Sequence, residues 1–113
     1  MEKLISRIRT TVGFEDIDDN RHMNNAAYAV HFEKARQEFL ESCGLDPKSL
    51  EARGVSLYVR RAEYNYRIQL EEGDEFTVET SFGEIEKNIF VVTNQKMFHR
   101  EECAAVSETI YVF

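Results

Sequence analysis

The sequence predicts an α+β fold in which a five-stranded antiparallel sheet wraps one long helix. Three observations carry this expectation: core-type side chains alternate with a two-residue period up to Phe14, aromatic residues recur at helical spacing from about Asn24 to Cys43, and two-residue alternation returns for the rest of the chain. With 113 residues, 42% of them hydrophobic, and a single proline, the chain is long enough for one modest core. One domain spanning residues 1–113 is therefore expected.

The first strand is read from Ile8, Thr10, Val12 and Phe14, which alternate with Arg7, Arg9, Thr11 and Gly13 as a half-buried strand requires. The helix follows. Tyr28, Phe32, Ala35, Phe39 and Cys43 form its buried stripe, and Gly44 with Pro47 supplies the stop. In the second half of the helix the opposite face carries Lys34, Gln37, Glu38 and Glu41, a solvated surface. In the first two turns that face carries Met23, Ala26, Ala27 and Val30, so the helix start is apolar nearly all round. A second subunit or a bound apolar ligand is expected to cover it.

A connector, Asp46 to Gly54, with one helical turn after Pro47, leads into an antiparallel meander. Val55, Leu57 and Val59 share one parity while Ala62, Tyr64, Tyr66, Ile68 and Leu70 share the other, so a bulge is expected around Arg60 and Arg61. The EEGD turn precedes Phe76, Val78, Thr80 and Phe82, and Gly83 marks a second irregularity. EKN then turns into the apolar run Ile89 to Val92 of a strand that ends near His99. A hairpin at Arg100 to Glu102 brings back Ala104, Val106 and Ile110 to Phe113. An uncovered edge strand is left to pair with another subunit.

Fourteen basic against twenty-one acidic residues give a net charge of -7, which opposes non-specific attraction to nucleic acid and to anionic lipid. Cys43 and Cys103 lie far apart and outside any CxxC or Cys/His spacing, so neither a disulfide framework nor a zinc site is supported, and a reducing cytoplasm is the expected compartment. The N-terminal MEKLISRIRT has no apolar core of signal-peptide length, and no run is long enough to span a bilayer.

Chemistry is expected at FEDIDDNRHMNNAAY, residues 14–28. This run places Asp16, Asp18, Asp19 and Asn20, a histidine and an Asn-Asn pair where strand gives way to helix. The exposed N–H groups of a helix start can stabilise a developing negative charge there. Turn formation and helix capping are the ordinary use of such residues. Asp16, Asp18 and Asn20 also imitate the opening of a calcium-binding EF-hand loop, but Arg21 stands where glycine is needed and Ala27 where the bidentate glutamate is needed, which excludes that reading. Cys43 reads as an apolar filler, and His31 and His99 as surface or interface histidines.

Asp16 and Asp18, His22, Asn24 and Asn25, Tyr28, and Ala35 with Arg36 together resemble the hotdog-fold thioesterases of the 4-hydroxybenzoyl-CoA thioesterase type, and the likeness covers nearly the whole chain. Plant acyl-carrier-protein thioesterases of the same fold are similar through Asp18, Asn20, His22, Asn24 and Asn25, and through the pair Arg60 and Arg61. Their next carboxylate is replaced here by Ala62, with Glu63 one place on. The resemblance implies a hotdog fold and hydrolysis of an acyl-CoA without metal or redox cofactor. Asp18 would be the nucleophile or the general base, the Asn25 amide an oxyanion donor, and His22 would shape the loop or bond the acyl group. Asn24, as N-cap, with Tyr28 and Phe32 would form the substrate site, and Arg60 and Arg61 would meet the phosphates of CoA. The family's active sites lie between protomers, which implies a homodimer or a dimer of dimers. An acyl-carrier-protein thioesterase and a non-catalytic acyl-thioester-binding domain remain as alternatives, and acyl-chain preference stays open. Hotdog dehydratases need differently spaced acid and histidine motifs that are absent. Members of the family commonly run beyond the last strand, so a shortened C-terminus is also open.

Overall fold

The computed structural model describes residues 4–83 and 90–113. Its elements in chain order are β1 (Ile5–Thr11), a 3-10 turn (Phe14–Asp16), α1 (Asn25–Ser42), α2 (Pro47–Glu51), β2 (Tyr58–Tyr66), β3 (Glu75–Phe82), β4 (Phe90–His99) and β5 (Glu102–Val112). The strands form one antiparallel sheet in the order β1-β3-β4-β5-β2. The chain thus leaves β1 at one edge and returns as β2 at the other, with α1 lying across the face between them. This is the expected sheet-on-helix architecture. The expected EKN turn and Ile89 lie outside the described residues.

Asn24 sits in extended backbone and its side chain accepts from the Ala26 N–H at 2.8 Å, which is the N-cap the sequence suggested. Tyr28, Phe32 and Ala35 are buried along α1 in one core with Phe76 and Val78 of β3 and Met97 of β4. Phe39 is buried with its ring centroid 4.7 Å from that of Phe82, and Lys34, Gln37, Glu38 and Glu41 are exposed. Cys43, expected on the stripe, is instead the half-buried C-cap just past the helix. Asp46 caps α2 through its bond from the Ser49 N–H at 3.2 Å. The bulge expected near Arg60 is present as a register shift between Val59 and Arg61. Gly73 of the EEGD turn takes φ 89, a conformation that costs a residue with a Cβ about 1 kcal/mol or more.

The structure corrects three expectations. β1 ends before Phe14, because Gly13 opens the 3-10 turn, and the Phe14 ring is 79% exposed instead of being the last core position. Met23 is buried in the main core and not on the outer face of the helix: its N–H bonds the Leu70 carbonyl at 2.7 Å, which turns the residue inward just before α1 begins. Ala27 packs against the same core, so only Ala26 and Val30 of the four apolar residues are exposed. In β5 the inward positions are Ala105, Ser107, Thr109 and Tyr111, whereas Val106 and Ile110 lie half-buried on the other parity. A register irregularity opposite Met97 and Phe98 brings Ala104 and Ala105 both inward and shifts the strand by one.

That shift gives the sheet an inner face with a polar centre. Thr93 pairs with Thr109, and Gln95 pairs with both Thr80 and Ser107, all of them buried. The Gln95 amide donates to the Phe32 carbonyl at 2.9 Å and to Thr80 Oγ1 at 3.0 Å, fixing the middle of α1 over the sheet. Arg36 is buried beside them and donates from Nε to the Tyr111 hydroxyl at 2.8 Å.

Tyr28 fastens the first turn of α1 to the segment before β3. Its hydroxyl donates to the Ile68 carbonyl at 3.0 Å and accepts from the Leu70 N–H at 3.1 Å. Burial holds this phenol above its ordinary value of 10.0, and the Leu70 bond opposes the shift. The unfolded chain therefore ionises first, so the stabilisation from the neutral phenol is complete below about pH 10 and is lost as pH rises through the folded value. The urea midpoint of the wild type is expected to fall above about pH 10 more steeply than that of Tyr28→Phe; equal slopes would mean that this hydroxyl is not the cause.

Candidate active site

The segment from Gly13 to Asn25 is a closed loop that returns on itself at the entry of α1. Ile17 and Met23 form an antiparallel bridge, the Asp18 N–H bonds the His22 carbonyl at 2.9 Å, and the Asn24 N–H bonds the Asp16 carbonyl at 2.8 Å. Arg21 takes φ 65 at the tip, where its N–H meets the Asp18 carbonyl at 2.9 Å. The loop is held to the rest of the fold by Met23 and by a bridge between His22 and Glu71. An outer ion pair, Arg21 with Glu72 at 3.3 Å, is exposed and adds less than about 1 kcal/mol.

Asp18 lies at the surface of the isolated chain. Its Oδ1 accepts from the Asn20 N–H at 2.9 Å and the His22 N–H at 3.2 Å, which closes the turn, while Oδ2 has no hydrogen-bond partner among the described residues. The capping and the chemical readings of this acid thus share one carboxylate, one oxygen serving the loop and the other open. His22 is half-buried, with Nε2 4.0 Å from Glu71 Oε1.

The helix start leaves one donor over. The Ala26 N–H is capped by Asn24 Oδ1, and the Ala27 and Tyr28 N–H groups reach the Asn24 carbonyl at 2.9 and 3.2 Å. The Asn25 N–H, first in the helix, has no acceptor among the described residues. Asn24 is exposed with its side chain engaged in the cap, whereas Tyr28 and Phe32 are buried in the core directly behind it. Tyr28 and Phe32 meet Tyr66 and Tyr64 of β2 at ring distances of 5.1 and 5.9 Å. They form the wall between the helix start and the edge strand.

Arg60 and Arg61 are exposed on β2, well apart in sequence from the helix start, and Arg61 pairs with Glu63. A groove of about 950 Å³ runs between the second half of α1, α2 and the segment 55–59; its lining includes Arg36 and Tyr111 but neither Asp18, His22 nor Asn25. The structure therefore brings Asp18, His22, Asn24 and Asn25 together on one loop and helix start, and leaves the arginine pair on a separate edge.

Sequence reasoning missed one pair at this site. His31 is largely buried and its Nε2 lies 3.1 Å from Asp16 Oδ2, so it is not a surface residue of the isolated chain. Its spacing of four from both Ala27 and Ala35 put it beside the buried stripe, and that was the available signal. His99 is likewise largely covered, with Nδ1 2.7 Å from the Glu75 carbonyl oxygen.

The chain is 29% identical over 80 residues to betainyl-CoA thioesterase of Pseudomonas aeruginosa, a match covering 71% of this chain, and it spans about half the length of that curated relative. It superposes on a Staphylococcus aureus protein solved in complex with CoA with a TM-score of 0.89 and 26% identity, covering 99% of this chain and 71% of that one. A variant of 4-hydroxybenzoyl-CoA thioesterase, solved with 4-hydroxybenzoyl-CoA, shares the fold with a TM-score of 0.85 at 17% identity, over 96% of this chain and 83% of that one. Residues 12–113 match the thioesterase-like superfamily, and the chain belongs to that family and has its hotdog fold.

Proposed function

We propose that this protein hydrolyses an acyl-CoA thioester to a free acid and CoA. The observation that carries the reading is that, among the described residues, the Asn25 N–H at the mouth of α1 has no acceptor and the adjoining loop presents a carboxylate oxygen of Asp18 without a partner. Thioester cleavage needs a nucleophile or base at the carbonyl carbon and a donor at the oxygen that gains charge. Asp18 would supply the first and the Asn25 amide the second. Two routes make the same demand on this geometry. Asp18 attacks the carbonyl carbon, CoA leaves as thiolate, and water hydrolyses the mixed anhydride; or Asp18 takes a proton from the water that attacks, and the collapse of the oxyanion expels the thiolate. His22 positions the loop through its N–H bond to Asp18 and stands next to the acyl group. The betainyl-CoA and CoA-bound relatives support CoA as the carrier and give betainyl-CoA a place in a substrate panel.

The exposed Asp18 also fits a site completed by a second copy of the chain. β2 is an edge strand, and its Tyr58, Val59 and Tyr66 are exposed at 61, 52 and 43%. We therefore expect a homodimer or dimer of dimers in which the partner covers the helix start, Tyr28 and Phe32 back the acyl pocket, and Arg60 and Arg61 reach the CoA phosphates. The free thiols of Cys43 and Cys103 fit a reducing cytoplasm.

On the best acyl-CoA of a panel of short, long, branched, aromatic and betainyl chains, Asp18→Asn is expected to lower kcat by at least about a hundredfold while its melting curve stays that of the wild type. No thiol release by the wild type from any CoA ester would favour a binding domain, and faster release from the same acyl group on carrier protein would favour the carrier-protein enzyme. Asn25→Pro removes the free N–H, together with an exposed carboxamide, at the first helical position where proline is tolerated, and should lower kcat about a hundredfold or more with little change in KM. An active Asn25→Pro enzyme would move the oxyanion donor elsewhere. Sedimentation at micromolar concentration should give a dimer or larger; a stable monomer would remove the shared-cleft reading of the exposed Asp18.

A further inference from the structure

Asp16 and His31 are the only acid and histidine of the loop and helix that are both nearly covered, at 13% and 12% side-chain exposure. A carboxylate in that setting is costly unless it is matched, and here Oδ2 carries the matching contacts. Asp16 Oδ2 lies 3.1 Å from His31 Nε2 and accepts from the Gly13 N–H at 2.9 Å, while the Asp16 carbonyl accepts from the Asn24 N–H at 2.8 Å. One residue thus ties three places together: the end of β1, the N-cap of α1, and the second turn of α1. The His31 ring is itself set against Phe76 of β3, with centroids 5.0 Å apart and planes at 82°. Neither residue touches Asp18, yet Asp16 is two positions before it, and the loop's outward ion pair with Glu72 is exposed and weak.

We infer that the Asp16–His31 pair is a positioning device for the acid-bearing loop: it clamps that loop to α1 and so sets where the open oxygen of Asp18 stands relative to the Asn25 N–H. The inference rests on the thioesterase reading for its kinetic consequence and on geometry alone for the clamp. It assigns His31 a role through Asp16 and not as a group that meets substrate. A displacement of about 1 Å between reacting groups lowers a rate by up to about a hundredfold. Loss of the clamp is therefore felt in kcat before it is felt in binding.

The test uses His31→Phe, which keeps an aromatic ring against Phe76, and His31→Gln, whose amide nitrogen can donate to Asp16 from about the place of Nε2. For the best acyl-CoA, His31→Phe is expected to lower kcat about tenfold to a hundredfold with KM within about twofold, and His31→Gln to recover most of that loss. In His31→Phe the amides of Asp18 and Asn24 should exchange hydrogen faster, relative to sheet amides such as that of Val78, than in the wild type or His31→Gln. Wild-type kcat in His31→Phe, or equal losses in both variants, would overturn the inference. The exchange measurement needs no substrate, so unchanged exchange at Asp18 and Asn24 refutes the clamp even if the wild type proves inactive, whereas an inactive wild type with altered exchange refutes only the thioesterase reading. Should His31→Phe fail to fold, the same comparison is made with Asp16→Asn, which is expected to show the faster exchange.

Discussion

The entry to α1 is the constraint on which the candidate site depends. A helix start is useful for stabilising negative charge only if an N–H remains unpaired and the incoming chain is held away from it. Here the Asn24 N–H is taken by the Asp16 carbonyl, the Ala26 N–H by the Asn24 side chain, and the Met23 N–H by Leu70. These bonds steer the chain into the helix from the side and leave the Asn25 N–H without an acceptor among the described residues. The loop that does this steering also carries Asp18, so acid and donor are placed by one set of backbone bonds.

The rest of the fold keeps that entry rigid. Tyr28 hooks the first turn of α1 to Ile68 and Leu70, and Gln95 holds the Phe32 carbonyl from the centre of the sheet. These three bonds are buried or partly so, where an unmatched polar group would cost about 1–3 kcal/mol, so each fixes orientation as well as contact. The sheet order β1-β3-β4-β5-β2 then leaves β2 at an edge on the side where Tyr64 and Tyr66 meet the helix wall. The helix start and a sheet edge are brought together by topology, as the proposed site shared between two copies requires.

Most of the fold was legible in the sequence because periodicity reports burial directly. The stripe of α1 from Tyr28 to Phe39, its N-cap at Asn24, the turn after Pro47 and the bulge near Arg60 all follow from spacing and from residue type. The errors share a cause: they depend on local irregularities that reset parity. Phe14 left the core because Gly13 opens a turn, and β5 changed face because of an irregularity near Ala104 that no glycine or proline announces. Met23 was assigned by helical spacing although it precedes the helix and is turned inward by Leu70. At the site, Asp18, Asn24 and Asn25 were legible as a motif, whereas the Asp16–His31 pair was not. It joins a turn to a helix position fifteen residues on, and the loop's return to Asn24 and the packing of His31 on Phe76 bring the two together.

The most direct test of the account is a structure with a non-hydrolysable acyl-CoA thioether ketone bound. The ketone oxygen is expected within about 3 Å of the Asn25 nitrogen and Asp18 Oδ2 facing the carbonyl carbon, in a cleft closed by a second copy of the chain. An analogue seated elsewhere, with Asp18 still open to bulk solvent and far from the acyl group, would contradict it.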